Sequence, residues 1–196
     1  MDIGRVVARA TEVLSTPKRT FWEEQVRSPV ESDFFDAFYV PFAGLCGVLV
    51  LLPYLAHGIV PAIMMGLLSG GIVWVLPYVM NWAVDSIATG MGGVGYGAQT
   101  RHIWALLQVP VGLGLGLGAI SEPFAATQAL AMAGLIYSIY LATLFVPEMY
   151  KITPDKRVGF LIVLGSAWFL ALLIGRAFLT EVTSAMWLSS LQNGGL

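Results

Sequence analysis

The stretch of 48 residues from 37 to 84 contains no Asp, Glu, Lys or Arg. A helix needs about 20 consecutive apolar residues to cross the hydrocarbon core of a bilayer. The stretch is therefore long enough for two transmembrane helices. We place the break between them at His57-Gly58, which Pro53 and Pro61 flank, and predict spans over 37–56 and 59–84.

The composition excludes a soluble globular domain. Of the 196 residues, 57% are hydrophobic and 11% are charged, whereas about a quarter of the residues in a soluble domain are charged. The net charge of -2 gives no basic footprint for nucleic acid. The single cysteine, Cys46, cannot form an internal disulfide, and the leader 1–36 lacks the apolar centre of a cleavable signal peptide.

Three further apolar stretches predict spans at about 102–120, 124–146 and 158–180. The expected fold is all-α, a polytopic membrane protein with five transmembrane helices and N-terminal amphipathic interfacial helices. In this topology, nine of the ten Lys and Arg residues lie on one side of the membrane. Positively charged loops stay in the cytoplasm, so we expect an inner (cytoplasmic) membrane protein with its N-terminus cytoplasmic and its C-terminus outside.

The leader 1–36 has apolar residues at helical spacing within 3–14 and charged residues on the other side. This short amphipathic helix either lies among the lipid headgroups or packs against the protein's own surface. Capping boxes predict two more helix starts, at Thr20 and Ser28. Trp22 is predicted to be an anchor at the membrane interface.

The C-terminal tail 181–196 is expected to lie along the outer interface, with Trp187 as an anchor. Arg176, near the outer end of the fifth span, is expected to reach the headgroups or to pair with Glu181.

The turn between the fourth and fifth spans is basic, and we predict a cytosolic docking surface at Lys151, Lys156 and Arg157. Thr153-Pro154-Asp155 is typical of a helix start, with a hydroxyl N-cap followed by proline at the first position.

Residues 135–163 resemble the connector between the last two spans of the Yip family, the Rab-GTPase-interacting membrane proteins, in its prokaryotic form. The matching positions are Tyr137, Tyr140, Pro147, Met149, Lys151, Pro154, Asp155, Lys156, Val158, Gly159 and Phe160. The leader segment 15–21 is also similar. The resemblance implies a five-span Yip-like membrane domain over 37–180 with the N-terminus inside. It also implies a non-enzymatic role, since eukaryotic members bind Rab GTPases and act in vesicle traffic. Their Asp-Leu-Tyr-Gly-Pro motif is absent here.

Ionisable groups within membrane spans are candidates for function. Asn81, Asp85 and Gln108 could line a polar cleft between spans two and three. Alternatively, Asp85 ends its helix and Asn81 bonds a neighbouring backbone group. The glycine-rich segment 85–101 matches a dinucleotide fingerprint as a string, but no βαβ unit surrounds it, so a turn is expected.

The third span carries Gly112, Gly114, Gly116 and Gly118. The two pairs with a spacing of four lie on opposite faces of a helix and allow close helix packing. This span is therefore predicted to be central in the bundle, while a hinge near Pro110 is the weaker alternative.

The two histidines, His57 and His102, are predicted on opposite membrane faces, each in contact with solvent, so they cannot share a haem or metal. No catalytic motif is present, and we expect no enzyme activity, no cofactor and no metal. The preferred hypothesis is a scaffold or accessory subunit. Its expected partners are membrane lipids and other integral membrane proteins or a larger membrane complex, with a possible homo-oligomer. The alternatives are a small transporter, channel or lipid-handling protein, and a pigment- or cofactor-associated subunit of a larger complex.

Overall fold

The computed structural model describes residues 3–27, 33–120 and 124–192. Within these ranges the chain forms eight α-helices joined by short turns, and a π-helical turn, Phe35–Tyr39, leads into the third. The helices are α1 (Ile3–Ser15), α2 (Arg19–Arg27), α3 (Val40–Tyr54), α4 (Ile59–Gly90), α5 (Arg101–Leu107), α6 (Val109–Ile120), α7 (Phe124–Met149) and α8 (Arg157–Gln192).

In the described part of the chain, five helical segments are long and apolar enough to cross a membrane, which is the architecture of a multi-pass membrane protein. They are Phe35–Tyr54, Ile59–Gly90, Gly97–Ile120, Ala129–Met149 and Pro154–Gly175. The expected all-α, five-span fold is therefore confirmed. The break before α4 also lies where expected, because Gly58 has a φ of 113° that favours glycine.

Several helices are longer than the sequence predicts. α4 continues past Asp85, and α7 passes through Pro147 to Met149. α8 continues to Gln192, so residues 181–192 extend the fifth span instead of forming a separate tail. A charged residue near a helix end does not stop the helix when neighbouring groups form hydrogen bonds with its side chain, as the backbone N–H of Tyr96 does with Asp85. The side chains of Arg176 and Trp187 lie outside the described residues.

The predicted helix starts are only partly right. α2 begins at Arg19, so Thr20 is already inside the helix and does not cap it. Thr153 does occupy the N-cap position before Pro154, but its hydroxyl makes no capping bond. The start expected at Ser28 lies outside the described residues.

The span formed by α5 and α6 is the centre of the bundle, as predicted. In its most apolar stretch 72% is buried, compared with 17% for α8. Its glycines face two neighbours: added Cβ atoms at Gly112 and Gly116 would touch side chains of α3, and one at Gly114 would strike the backbone of α7 at Leu130. The span is interrupted at Gln108, because Pro110 has no N–H to give the preceding turn.

The closest approach between α3 and α4 uses small residues that the sequence analysis did not single out. A Cβ on Gly47 would lie 2.6 Å from the carbonyl oxygen of Gly66, and one on Gly70 would lie 3.0 Å from that of Ala43. Each helix contributes two small residues with a spacing of four, which is the pattern that lets helices pack closely in a membrane.

A buried hydrogen bond joins the π-helical turn before α3 to α4. The hydroxyl of Tyr39 donates to the carbonyl oxygen of Val73 at 2.7 Å. This carbonyl lacks the usual α-helical donor, because the residue four positions later is Pro77, which has no N–H. Tyr39 thus satisfies a backbone group that lipid could not.

The leader helices pack against the bundle. α1 buries Val6, Ala10 and Val13 but leaves Ile3 and Val7 about half exposed, at 54% and 53%. It therefore packs on the protein and still presents an apolar edge, so it combines features of both sequence alternatives.

Trp22 is not exposed as an interface anchor would be. It is fully buried, and its ring is stacked on Phe145 of α7 at 4.9 Å between ring centroids. Helical patterning alone does not distinguish burial against lipid from burial against protein. Trp22 anchors the leader to the bundle.

We predict that Gly47→Ala destabilises the bundle by about 1–3 kcal/mol, because the new methyl group would overlap backbone atoms of α4. Gly44→Ala is the matched control on the same helix, since a Cβ there has nothing within 4 Å. Thermal unfolding of both variants in the same detergent measures the difference. Equal melting temperatures would contradict the close contact.

We predict that Trp22→Ala releases the leader while the membrane helices remain folded. Loss of a large buried aromatic side chain costs about 3–5 kcal/mol, and proteolysis follows the population of the opened state. Limited trypsin digestion should therefore cleave at Lys18 or Arg19 more than about a hundredfold faster. Trp82→Ala is the control, since Trp82 is 71% exposed. Unchanged cleavage in Trp22→Ala would show that other contacts hold the leader.

Candidate functional site

One end of the bundle, here called the basic end, holds the leader helices α1 and α2, the loop 91–100 and the turn 150–156. At this end Asp85 fixes the loop to α4. Its carboxylate accepts hydrogen bonds from the backbone N–H of Tyr96 at 2.6 Å and of Gly97 at 3.3 Å. Charge-assisted bonds of this kind are the strong ones. Asp85 therefore acts as a loop clamp within a continuing helix.

Asn81 lies one turn before Asp85 and holds the next part of the same loop. Its amide nitrogen donates to the carbonyl oxygen of Gly97 at 2.7 Å, and its amide oxygen accepts from the hydroxyl of Thr100 at 2.9 Å. Asn81 thus bonds a neighbouring backbone group, as one of the two sequence alternatives supposed. Both of its polar atoms are used inside the fold.

Tyr150 connects this loop to α5 and to the basic turn. Its hydroxyl oxygen accepts a hydrogen bond from the indole N–H of Trp104 at 3.3 Å and lies 3.4 Å from the Thr100 hydroxyl. Its carbonyl oxygen accepts from the N–H of Val94 at 2.9 Å. Burial raises the pKa of Tyr150 above its usual value of 10.0, so the hydroxyl stays neutral at physiological pH.

Gln108 is fully buried, and its amide oxygen accepts a hydrogen bond from the indole N–H of Trp168 at 3.1 Å. Its amide nitrogen is buried without a partner. Gln108 bonds a residue of α8, whereas Asn81 and Asp85 bond the loop. The three residues that we expected to line one cleft therefore serve two separate contacts.

His102 differs from expectation, because it is buried and not solvated. Its Nε2 lies 3.1 Å from the carbonyl oxygen of Gln25, and its ring meets Phe34 edge-on. It helps to hold the leader on the bundle. The side chain of His57 is outside the described residues. Among the described residues no group of three or more His, Cys, Asp or Glu is arranged to hold a metal ion.

Two of the three basic residues predicted to form a docking surface make contacts inside the protein. Lys156 donates to the carbonyl oxygen of Met91 at 2.9 Å, and Arg157 pairs with Glu148 at 3.4 Å. Glu148 also pairs with Arg19 of the leader. Lys151 is exposed and adopts a left-handed backbone with a φ of 54°. The basic turn therefore joins the loop and the leader to the bundle.

A groove runs along the outside of the bundle between α3 and α4, and we call it the glycine groove. It encloses about 420 Å³ and lies within the membrane-spanning parts of both helices. Its lining is Val40, Ala43, Gly44, Gly47, Val48, Leu51, Ile63, Gly66, Leu67, Gly70, Gly71 and Trp74. Cβ atoms added at Gly44 and Gly71 would meet nothing within 4 Å, so the surface has room for another group.

Comparison with known proteins gives no relative: no protein-family model, no curated protein and no solved structure matches this chain.

We predict that Asp85→Ala loosens the loop at the basic end. Each lost charge-assisted bond is worth about 1.5–3 kcal/mol, so the amides of Tyr96 and Gly97 should exchange at least about tenfold faster. Hydrogen–deuterium exchange of peptides covering 91–100 measures this. Ser86→Ala is the control, since that hydroxyl bonds only its own helix, at Trp82. Equal exchange in the two variants would contradict the clamp.

Proposed function

We propose that this chain is a non-enzymatic integral membrane scaffold or accessory subunit that associates laterally with other membrane proteins. The observation that carries the proposal is the glycine groove. In the hydrocarbon core, close packing at small residues is a principal source of helix association. Gly44 and Gly71 offer such a surface on the outside of the bundle.

The occupant that best fits this groove is a transmembrane helix of another protein. Within a bilayer a partner segment must satisfy its own backbone, which a helix does. The groove is lined by apolar residues and glycines apart from the indole of Trp74. Exposed Val48 and Leu67 flank its glycine floor, so an apolar helix with small residues on one face would complement it.

Three features of the polar residues support this role over transport through the bundle. Asn81 uses both of its polar atoms within the fold, Asp85 clamps a loop, and Gln108 accepts a bond from Trp168. The small transporter or lipid-handling protein therefore remains the second hypothesis. It would be supported if an Asp85→Asn variant lost solute or lipid flux in proteoliposomes.

The proposal includes an orientation and a family relationship. By the positive-inside rule the basic end faces the cytoplasm of the cell membrane, which leaves the C-terminus on the outer side. The resemblance of residues 135–163 to the Yip family agrees with a non-enzymatic membrane role.

We predict that Gly71→Leu removes a partner that co-purifies with the wild-type chain. The tagged protein is isolated from its native membrane in mild detergent, and the complex is analysed by gel filtration, mass spectrometry and absorption. The leucine side chain would enter the groove from a position where an added Cβ meets nothing within 4 Å. Gly165→Leu on α8 is the matched control, since a Cβ there would touch only Ile139 at 3.8 Å.

A stoichiometric membrane partner that is lost only in Gly71→Leu supports the scaffold. A partner that persists in Gly71→Leu places its contact elsewhere and contradicts the groove. A wild-type chain that elutes as a bare monomer would favour solute or lipid handling. A second copy of the chain would indicate a homo-oligomer. A visible absorption band would favour the pigment-associated alternative.

A further inference from the structure

A second groove opens beside the first on α3, where α1 meets the start of that helix, and we call it the leader groove. It encloses about 930 Å³, which is within the usual range for a ligand site of about 300–1,000 Å³. It is lined by Ile3 and Arg5 of α1, by Asp33 and Asp36, and by one face of α3. It shares only Val40, Gly44 and Val48 with the glycine groove.

The leader groove is polar at one end and apolar along the rest. Among the described residues, the charged side chains that line it are Arg5 of α1 and Asp33 and Asp36 of the segment just before α3. Arg5 Nη1 lies 3.4 Å from Asp33 Oδ2, and both side chains are about half exposed, at 49% and 54%. A group entering this end therefore meets the Arg5 guanidinium and the carboxylates of Asp33 and Asp36, all in contact with water.

The apolar part follows one face of a membrane-spanning helix. Ala37, Val40, Gly44 and Val48 recur at spacings of three or four, which places them on one side of the helix. From Asp33 to Val48 is 15 residues, or about 22 Å at the rise of a helix. One leaflet of a bilayer, including its headgroups, is also about 20–22 Å thick.

We propose that the leader groove is a binding site for one aminophospholipid, of the phosphatidylethanolamine class, in the leaflet at the basic end. The acyl chains lie along α3, the phosphate contacts the Arg5 guanidinium, and the primary ammonium contacts the carboxylates of Asp33 and Asp36. The match in length assigns the ligand to a lipid, and the charge pattern assigns its headgroup.

The charge pattern distinguishes this lipid from others of the same length. Phosphatidylglycerol offers no cation to the two carboxylates, which would repel its phosphate. The quaternary ammonium of phosphatidylcholine has no N–H to donate, whereas a primary ammonium has three. Ile3, which is 54% exposed at the rim, gives the lipid an apolar contact from α1. The headgroup contacts are separate from the glycine groove, because Arg5, Asp33 and Asp36 do not line it.

The test is native mass spectrometry of the full chain in detergent, titrated with dioleoyl phosphatidylethanolamine, phosphatidylglycerol or phosphatidylcholine. We expect one phosphatidylethanolamine adduct that binds at least about tenfold more tightly than the other two. Asp36→Asn should abolish this preference. Asp36 is chosen over Asp33 because Asp33 also pairs with α1, so its replacement could undock the leader.

Two further variants separate the groove from general lipid binding. Leu45→Trp, which fills the leader groove alone, should weaken the adduct at least about fivefold. Asp155→Asn, an exposed acid in the basic turn, should leave it unchanged. Equal binding of the three lipids, or a preference that survives Asp36→Asn, would overturn the proposal. Loss of the adduct in Asp155→Asn as well would show a general charge effect and would also overturn it.

Discussion

Close contact between helix backbones at small residues is the constraint on which this bundle depends. Lipid tails are as apolar as leucine, so helices in a membrane gain little from hydrophobic burial against one another. They gain from close packing instead, and glycine permits the shortest approach. Gly47 lies against Gly66 between α3 and α4, and Gly114 lies against Leu130 between α6 and α7. Two further glycines of α6 face α3, so α6 lies between α3 and α7 at the centre of the bundle.

The sequence predicts the number of spans well, because lipid imposes a length and a lack of charge that are visible in any one chain. It predicts the ends of helices less well. Asp85 lies inside α4 because the loop N–H groups supply partners for its carboxylate, and those partners come from residues more distant in sequence. Pro147 lies inside α7, and the carbonyl groups of residues 146–148 accept hydrogen bonds from the turn that follows.

The candidate sites show the same limit. The four glycines from 112 to 118 are conspicuous, and their two-faced packing follows from helical geometry. The small residues on α3 and α4 also have a spacing of four, but they lie in two different segments of the chain. Only the structure reveals that the two segments meet. Trp22 was assigned to the interface because its type favours that place, yet its partner Phe145 is more than a hundred residues away. For the contact between α3 and α4, the signal present in the sequence was the spacing of four between small residues within each helix.

The bond from Tyr39 to the carbonyl oxygen of Val73 also bears on the biogenesis of the protein. Pro77 leaves that carbonyl without its usual donor in α4, and an unsatisfied backbone group in hydrocarbon costs on the order of several kcal/mol. The donor lies in the π-helical turn that leads into α3, and this segment precedes α4 in the chain and is made first. α4 is therefore more stable in the bilayer beside α3 than alone, and the two helices should leave the insertion machinery as a paired hairpin.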